Sequence, residues 1–172
     1  MKTIEIRRHT YRTKPGQHLS QQGVTLARRV GEGIGPFARV ITSTVPRAFE
    51  TAIAMGFAVD EQMELMSSVS DEMEFEAPWP QPPEMYARAI RNGGVLAKYA
   101  KQLADFYHQL ANELADDCAA LVINHGGIAE MGAAACLPQA DHGSWGPHFE
   151  CCEGVRLFWA DGKFVSAHIL RV

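Results

Sequence analysis

Alternation of apolar and polar residues near the start of the chain predicts a strand followed by a helix. Residues 4–6 alternate and lead into the polar residues 8–10, as expected where a strand ends in a turn. A helix over about 21–33 is then indicated by Ser20 as the N-cap and by an apolar residue at every fourth position: Leu26, Val30 and Ile34. A strand and a helix in this order are typical of an α/β fold.

A second strand and helix follow in the same order. Val40 and Ile41 predict a short strand that ends in the polar residues 42–44. Pro46 suits the first turn of a helix, and apolar positions continue that helix to Gly56. The chain up to this point therefore contains two strand–helix units.

The next segment, residues 57–95, interrupts this pattern. Its first part, residues 57–83, is irregular, acidic and rich in proline, but it also carries the apolar residues Met73, Phe75 and Trp79. We interpret the segment as a long functional loop or lid, because a simple linker needs no apolar anchors.

The second half of the chain predicts a long helix, a buried strand, another helix and a hairpin. The long helix follows residue 83, breaks near residues 92–94 and has one apolar face, formed by Leu96, Tyr99, Leu103, Phe106, Leu110 and Leu114. Residues 119–123 are a continuous apolar run, typical of a strand covered on both faces, and an alanine-rich helix follows them. Asp161-Gly162 lies between two further apolar segments and predicts a β-hairpin.

This order of elements predicts a three-layer α/β/α sandwich. Helices cover both faces of a mostly parallel sheet, and the final hairpin adds an antiparallel edge. With 172 residues, the chain has the length of a single domain. Ligands bind to such sheets outside the carboxyl ends of the strands, so we expect the functional site there.

Composition and charge exclude several classes of protein. The hydrophobic fraction is 47% and the charged fraction 21%, as in ordinary globular proteins, and no apolar stretch is long enough to span a membrane. The N-terminus has no apolar signal-peptide core and the four cysteines show no disulfide framework, so we expect a cytoplasmic protein with reduced thiols. The net charge of −4 gives no attraction to nucleic acid or to an anionic membrane.

Basic and imidazole side chains follow three of the predicted strands. Arg8 and His9 end the first strand, Arg47 follows the second, and His125 ends the third. In a parallel sheet these ends lie at one edge, so two guanidiniums and two imidazoles are expected to converge on an anion. Gly126, at the start of the next helix, allows backbone amides to approach the same anion.

Arg7 and Arg8 are neighbours on one strand, so their side chains point to opposite faces. Only one of them can face the pocket. We expect the other to be a solvated charge.

Four short motifs resemble those of the histidine phosphatase superfamily, whose fold is phosphoglycerate mutase-like. Residues 6–10 resemble its Arg-His-Gly signature, and Leu19-Ser20-x-x-Gly23 resembles the start of its first helix. Residues 43–52 are similar to its second-arginine motif, and residues 124–127 to its second-histidine motif. Four motifs in this order and spacing are more specific than any one of them alone.

The resemblance implies a phosphatase that works through a phosphohistidine on His9. One ring nitrogen of neutral His9 attacks phosphorus while the other donates to a backbone carbonyl. The substrate is then a phosphorylated small molecule or a phosphoprotein, and no metal or organic cofactor is implied. The phosphoryl oxygens lie against the residues that match the motifs: Arg8, Thr10, Arg47, His125 and Gly126.

Two positions differ from the family pattern. Thr10 stands where the family has glycine, so its β-carbon would crowd the phosphate or its hydroxyl would donate to it. The general acid for the leaving group has no clean match, although the acidic residues 71–76 lie in the right region, where we favour Glu72 over Glu74. A missing acid fits the phosphohistidine phosphatase branch, whose leaving group needs less protonation.

Other functions fit parts of the sequence. A non-catalytic phosphate-binding module accounts for the residue at position 10 and for the unmatched acid, and a phosphomutase is a further alternative. Zinc binding by His142, His148, Cys151 and Cys152 is disfavoured, because adjacent cysteines rarely ligate one ion and the spacing fits no structural zinc site.

Overall fold

A six-stranded sheet forms the centre of the computed structural model, which describes residues 1–172. The strands are β1 (Lys2–Arg8), β2 (Arg39–Ser43), β3 (Glu61–Met63), β4 (Ala119–Asn124), β5 (Gly154–Ala160) and β6 (Lys163–Leu170). Their order is β3-β2-β4-β1-β5-β6; the first four run parallel, and β5 and β6 pair antiparallel. The predicted parallel sheet with an antiparallel hairpin at one edge is therefore confirmed.

Helices cover both faces of this sheet. They are α1 (Gln21–Gly31), α2 (Pro46–Ala54), α3 (Asp71–Glu76), α4 (Pro83–Asn92), α5 (Val95–Glu113) and α6 (Ile128–Cys136), with short 3₁₀ helices at Glu64–Met66 and His142–Trp145. Alternate residues of β4 enter two separate cores: Ala120 and Val122 pack with α5 and α6, and Leu121 and Ile123 with α1 and α2. This arrangement is the predicted three-layer α/β/α sandwich. A membrane-spanning segment would need a longer and more apolar helix than any of these.

Local sequence decides where the helices begin and end. Ser20 is the N-cap of α1, as predicted, since its hydroxyl accepts a hydrogen bond of 3.1 Å from the N–H of Gly23. The predicted break near residues 92–94 is also confirmed: Gly93 and Gly94 have φ values of +83° and +98°, and they separate α4 from α5. The carboxylate of Glu76 then accepts the first two N–H groups of α5, each at 2.9 Å.

The segment 57–95 is more ordered than its sequence predicts. It contains β3, a 3₁₀ helix, α3 and α4, so residues 57–83 are not one long loop, and their role as a lid stays a prediction. The sequence pattern does not indicate β3, because this edge strand has three residues and none of them is buried. Met73 is buried as an apolar anchor, but Phe75 is 89% exposed and anchors nothing.

Arg7 is buried, which contradicts the prediction of a solvated charge. Its strand, β1, lies between β4 and β5, and helices cover both faces of the sheet at this point. Arg7 Nε donates to Glu5 Oε1 at 2.6 Å, and Nη1 donates to the carbonyl of Cys152 at 2.5 Å. Glu5 also accepts from Arg156, so the buried charges of Arg7 and Glu5 both have partners of opposite sign.

Candidate active site

His9 follows the carboxyl end of β1 and is held in one orientation by its own backbone. Its Nδ1 lies 2.6 Å from the carbonyl oxygen of Thr10, and only an N–H can make that contact, so we assign the proton to Nδ1. Nε2 is then unprotonated, and Arg47 Nε donates to it at 3.0 Å. The tautomer agrees with the one expected for a nucleophilic histidine.

The surroundings of His9 keep its ring uncharged. The pKa of His9 is lowered to about 3: burial is the largest cause, the positive charges of Arg47, Arg8 and Arg12 add to it, and the bond to the Thr10 carbonyl opposes it. At neutral pH the ring of His9 is therefore uncharged, and Nε2 keeps its lone pair.

Arg47 reaches His9 from the first turn of α2. Thr51, one turn later, donates to the Arg47 carbonyl at 2.6 Å and accepts from the N–H of Thr10 at 3.1 Å, so it ties α2 to the loop after β1. Arg47 Nη1 also donates to the side-chain oxygen of Gln17. Burial lowers the pKa of Arg47, and the nearby charges of Arg12 and Arg8 lower it further.

His125 lies directly after β4 and faces His9, with 5.1 Å between the ring centroids. Its Nε2 is 2.8 Å from Ser43 Oγ, at the end of β2. Ser43 Oγ also accepts from the N–H of Val45. A hydroxyl can either donate to an imidazole nitrogen or accept from its N–H; with the Ser43 hydroxyl as donor to Nε2, the N–H of His125 lies on Nδ1. That buried Nδ1 has no hydrogen-bond partner in the protein. Burial, with smaller contributions from His9, Arg47 and Arg8, lowers the pKa of His125 to about 2.

Arg8 is the last residue of β1 and directly precedes His9. Its Nη1 donates to the carbonyl of Phe149 at 2.9 Å and lies 3.6 Å from the carboxylate of Glu150. The guanidinium stands over the ring of Trp79, 5.0 Å from the centroid. Arg8 Nε is buried without a partner, so it is a second unused polar atom at this edge of the sheet.

Glu130 is a buried residue that sequence reasoning missed. One carboxylate oxygen accepts the N–H of Gly127 at 2.7 Å, and the other accepts the N–H of Phe149 at 2.8 Å. Glu130 thereby joins the start of α6 to the segment before β5, where the carbonyl of Phe149 accepts a hydrogen bond from Arg8. Burial raises its pKa to about 7, although these hydrogen bonds and the charge of Arg8 oppose the rise. A glutamate three residues after Gly127, at a predicted helix start, was the signal for this cap.

Gly126 lies where the prediction places it, at the start of α6 and next to the site. A β-carbon at this position would lie 2.5 Å from Trp79 Nε1, so the indole packs directly on the Gly126 backbone. Trp79 therefore touches both the glycine and Arg8, although it comes from the segment between α3 and α4. Its role was not apparent from the sequence.

Thr10 is close to the site, but its side chain is turned away from it. The hydroxyl donates to the carbonyl of Gly23 at 3.2 Å, and the N–H donates to Thr51. Thr10 is fully buried under the start of α1, so its hydroxyl does not offer the predicted donor to a phosphate. Its carbonyl acts instead, by fixing the ring of His9.

The acidic residues 71–76 have different positions. Glu72 is exposed and forms no hydrogen bond or ion pair with the rest of the protein, whereas Glu76 caps α5. Glu74 accepts from the N–H of Trp79 at 2.9 Å and lines a small cavity with Gly126 and Gly127. Glu74 is exposed as well, so its bond to Trp79 and its place beside Gly126 distinguish it from Glu72, which the sequence favoured.

The residues considered for zinc are separated by their contacts. His142 packs on Trp145, with ring centroids 4.7 Å apart, and His148 contacts Trp79 and pairs with Glu150. Cys152 lies in the core under α1 and α2. No group of three or more histidine, cysteine or acidic side chains in the structure has the arrangement needed to hold a metal ion.

The chemistry available at this edge is that of a nucleophile next to an anion site. A neutral imidazole presents its lone pair, two guanidiniums flank it, and a second imidazole has a buried ring nitrogen without a partner. Such groups stabilise negative charge that develops on a tetrahedral oxyanion during transfer.

Comparisons with known proteins show the fold but not a close relative. No family model and no curated protein matches the sequence. The fold is similar to that of phosphoserine phosphatase from Entamoeba histolytica, with a TM-score of 0.72, 14% identity and coverage of 100% of this chain and 98% of that chain.

Two other solved structures are similar over almost their whole length. A mycobacterial glucosyl-3-phosphoglycerate phosphatase gives a TM-score of 0.69 at 18% identity, covering 99% of this chain and 98% of that chain. Phosphoglycerate mutase from Bacillus anthracis gives 0.68 at 16% identity, covering 95% and 90%. The fold that the motifs predict is confirmed: the chain has the phosphoglycerate mutase-like fold of these solved structures.

Proposed function

We propose that the protein is a phosphatase that hydrolyses a phosphomonoester or a phosphorylated side chain through a phosphohistidine on His9. The observation that supports this most is the state of the His9 ring. Its Nδ1 proton is fixed on a backbone carbonyl, and its Nε2 lone pair lies beside the guanidinium of Arg47. An uncharged nitrogen placed among cations suits attack on an anionic phosphoryl group.

In the first step of the proposed reaction, His9 Nε2 forms a bond to phosphorus while the bond to the leaving oxygen breaks. Arg47 exchanges its hydrogen bond from Nε2 to a phosphoryl oxygen, which frees the lone pair. Arg8 and His125 bind the other equatorial oxygens with Nε and Nδ1, the two buried atoms that lack partners in the protein. Water then attacks phosphorus, inorganic phosphate leaves, and His9 returns to its neutral form without a metal or cofactor.

The general acid in this proposal is Glu74. It lines the cavity beside Gly126 and Gly127, and it is bonded to the backbone of Trp79, which covers Arg8. A protonated Glu74 would pass its proton to the leaving oxygen and then assist the attacking water as a base. Glu72 has no contact that would hold it near the substrate.

The structural neighbours support a phosphatase that acts on a phosphorylated small molecule. Two of them are phosphatases by name; one is in complex with 3-phosphoglyceric acid and the other with VO3. A phosphomutase remains the less favoured alternative, represented among the neighbours by the Bacillus anthracis enzyme.

The test is turnover of 4-nitrophenyl phosphate without added metal, together with rapid acid and base quenching after mixing with a labelled phosphomonoester. We expect acid-labile, base-stable label on the wild-type protein and none on His9→Ala. His168→Ala is the matched control, since His168 is an exposed histidine on the edge strand β6. Equal turnover by wild type and His9→Ala would end the proposal. Phosphate binding without label or turnover would favour the non-catalytic phosphate-binding module.

A further inference from the structure

Tyr86, on α4, brings a buried hydroxyl to the edge of the candidate site. The residue is 1% exposed, and its hydroxyl has no hydrogen-bond partner in the protein. A β-carbon at Gly127 would lie 3.0 Å from this hydroxyl oxygen and 3.4 Å from Trp79 Cδ1, so the hydroxyl lies beside the N-cap glycine of α6 and close to the indole. Burying a polar group without a partner costs free energy, so we expect this hydroxyl to bind something other than a protein group.

The two other buried tyrosines both have partners within the protein. Tyr99 donates to the carbonyl of Leu65 at 2.7 Å, and the hydroxyl of Tyr107 accepts from the side-chain amide of Asn124 at 3.2 Å. Tyr86 differs from them in this respect, and it is also the one that lies next to the candidate site.

Tyr86 lines a cavity of about 20 Å³, which it shares with Glu74, Trp79, Gly126 and Gly127. A water molecule needs about 10–15 Å³ and two or more polar partners, so the cavity has room for one water. The rest of the wall is apolar and consists of Val69, Met73, Ala77, Leu96 and Met131. A water in this cavity therefore has few polar groups to bind, and the Tyr86 hydroxyl is one of them.

Glu74 supplies a second polar partner on the same cavity. Its Oε1 accepts the N–H of Trp79 at 2.9 Å, and a carboxylate has further lone pairs for other donors. Burial raises the pKa of Tyr86, and the charges of Glu130 and Glu74 raise it further, as expected for carboxylates close to the hydroxyl. The backbone of Gln81 opposes this rise, but it lies outside hydrogen-bond geometry.

We propose that Tyr86 positions the carboxyl group of Glu74 through one water molecule bound in this cavity. The Tyr86 hydroxyl donates to the water, and the water donates to the carboxyl group, which also accepts the N–H of Trp79. Two hydrogen bonds then orient a side chain that is otherwise exposed, so that its proton is directed to the leaving oxygen. Tyr86 is a positioning residue, since it acts on the reaction through Glu74. This inference rests on the proposed function, because it takes Glu74 to be the general acid.

The test compares ethyl phosphate, whose leaving oxygen needs a proton, with 4-nitrophenyl phosphate, whose leaving group needs little protonation. We measure kcat and KM for wild type, Tyr86→Phe, Glu74→Gln and the double variant. We expect Tyr86→Phe to lower kcat for ethyl phosphate about tenfold, as for the loss of one hydrogen bond, and to change KM and the rate with 4-nitrophenyl phosphate little. The double variant should be no slower than Glu74→Gln, because the two residues act as one unit.

Tyr99→Phe is the matched control. It also removes the hydroxyl of a buried tyrosine, but this hydroxyl donates to the carbonyl of Leu65. We expect Tyr99→Phe to leave the ratio of the two rates as in wild type. A similar loss of kcat for both compounds in Tyr86→Phe, unchanged rates for both, or additive losses in the double variant would overturn the inference.

Crystal structures of wild type and Tyr86→Phe separate this inference from the proposed function. We expect one ordered water within hydrogen-bond distance of the Tyr86 hydroxyl and of a Glu74 carboxylate oxygen, and its loss in Tyr86→Phe. If wild type turns over neither compound, the phosphatase proposal fails. A water between the two groups would still support the inferred link, and a wild-type cavity without it would contradict the link even in an active enzyme.

Discussion

Arg47 Nε lies 3.0 Å from His9 Nε2 and donates a hydrogen bond to it. This contact joins two residues that are 38 positions apart in the sequence and come from different elements. A cation can donate to an imidazole nitrogen only when that nitrogen is unprotonated, so the contact also reports the charge state of the ring. In the proposed reaction, the nucleophile and the nearest phosphate-binding group are thus aligned before substrate arrives.

The first prediction concerns the shape of the Arg47 side chain. Lysine at this position keeps the charge but loses the planar fork that binds Nε2 of His9 and the side chain of Gln17 together. We expect Arg47→Lys to lower kcat about 10²-fold or more, as for the loss of one oriented donor to a transition state. Steady-state kinetics measures this, with thermal unfolding to show that the variant is folded. A kcat within a factor of two of wild type would contradict the role of the fork.

The second prediction concerns Gly23, in the first turn of α1. A β-carbon there would lie 2.1 Å from the carbonyl oxygen of Tyr11 and 3.2 Å from Thr10 Cγ2. Gly23→Ala must therefore displace the backbone that fixes the ring of His9, at a cost of about 1–3 kcal/mol in the free energy of unfolding. Urea denaturation measures the loss, and activity should fall with it.

Gly33→Ala is the matched control for that change. A β-carbon at position 33 meets only the carbonyl oxygen of Val30, at 3.9 Å. We expect a change within about 0.5 kcal/mol and full activity. Equal losses for both variants would show that the close approach at Gly23 does not matter.

The third prediction is a stability that falls as the pH drops below the ordinary pKa of histidine. The pKa of His9 is lowered to about 3 and that of His125 to about 2, so the unfolded chain binds protons that the folded protein does not. Their contribution is present above about pH 6.5 and is lost as the pH falls, by about 1.4 kcal/mol per pH unit for each histidine. Glu130 acts in the opposite direction, because its raised pKa of about 7 favours the folded state at low pH.

Urea denaturation at about pH 6.5 and about pH 5 tests this balance. We expect His9→Asn to make the loss of stability between the two pH values smaller, and Glu130→Gln to make it larger. Identical pH slopes in wild type and His9→Asn would contradict a neutral, buried His9.

The fourth prediction separates Glu74 from Glu72. Glu74→Gln should lower kcat about 10²-fold for an alkyl phosphate, whose leaving oxygen needs a proton, and much less for 4-nitrophenyl phosphate. Glu72→Gln should leave both rates unchanged, since Glu72 is exposed and has no partner. If Glu72→Gln and Glu74→Gln have the same small effect on the alkyl phosphate, neither residue is the acid.

Much of the fold and the positions of four site residues could be predicted from local patterns. The alternation in β1, the apolar run of β4 and the turn at Asp161-Gly162 each identify one element, because the order of apolar and polar residues along the chain follows which of them are buried. Once the strands are known to be parallel, Arg8, His9, Arg47 and His125 must meet at one edge. The short edge strand β3 carries no such period, so no pattern predicts it.

By itself, the sequence determined the order of the strands and helices outside residues 57–83 and which basic and imidazole groups follow them, since these depend on neighbouring residues. Only the tertiary structure decided that Arg7 is buried, that Thr10 turns its hydroxyl away, and that Glu74 rather than Glu72 lies beside Gly126. It also decided that Glu130 joins the start of α6 to Phe149. These features depend on contacts between distant parts of the chain, and the direction of a side chain is set by the partners that packing brings to it.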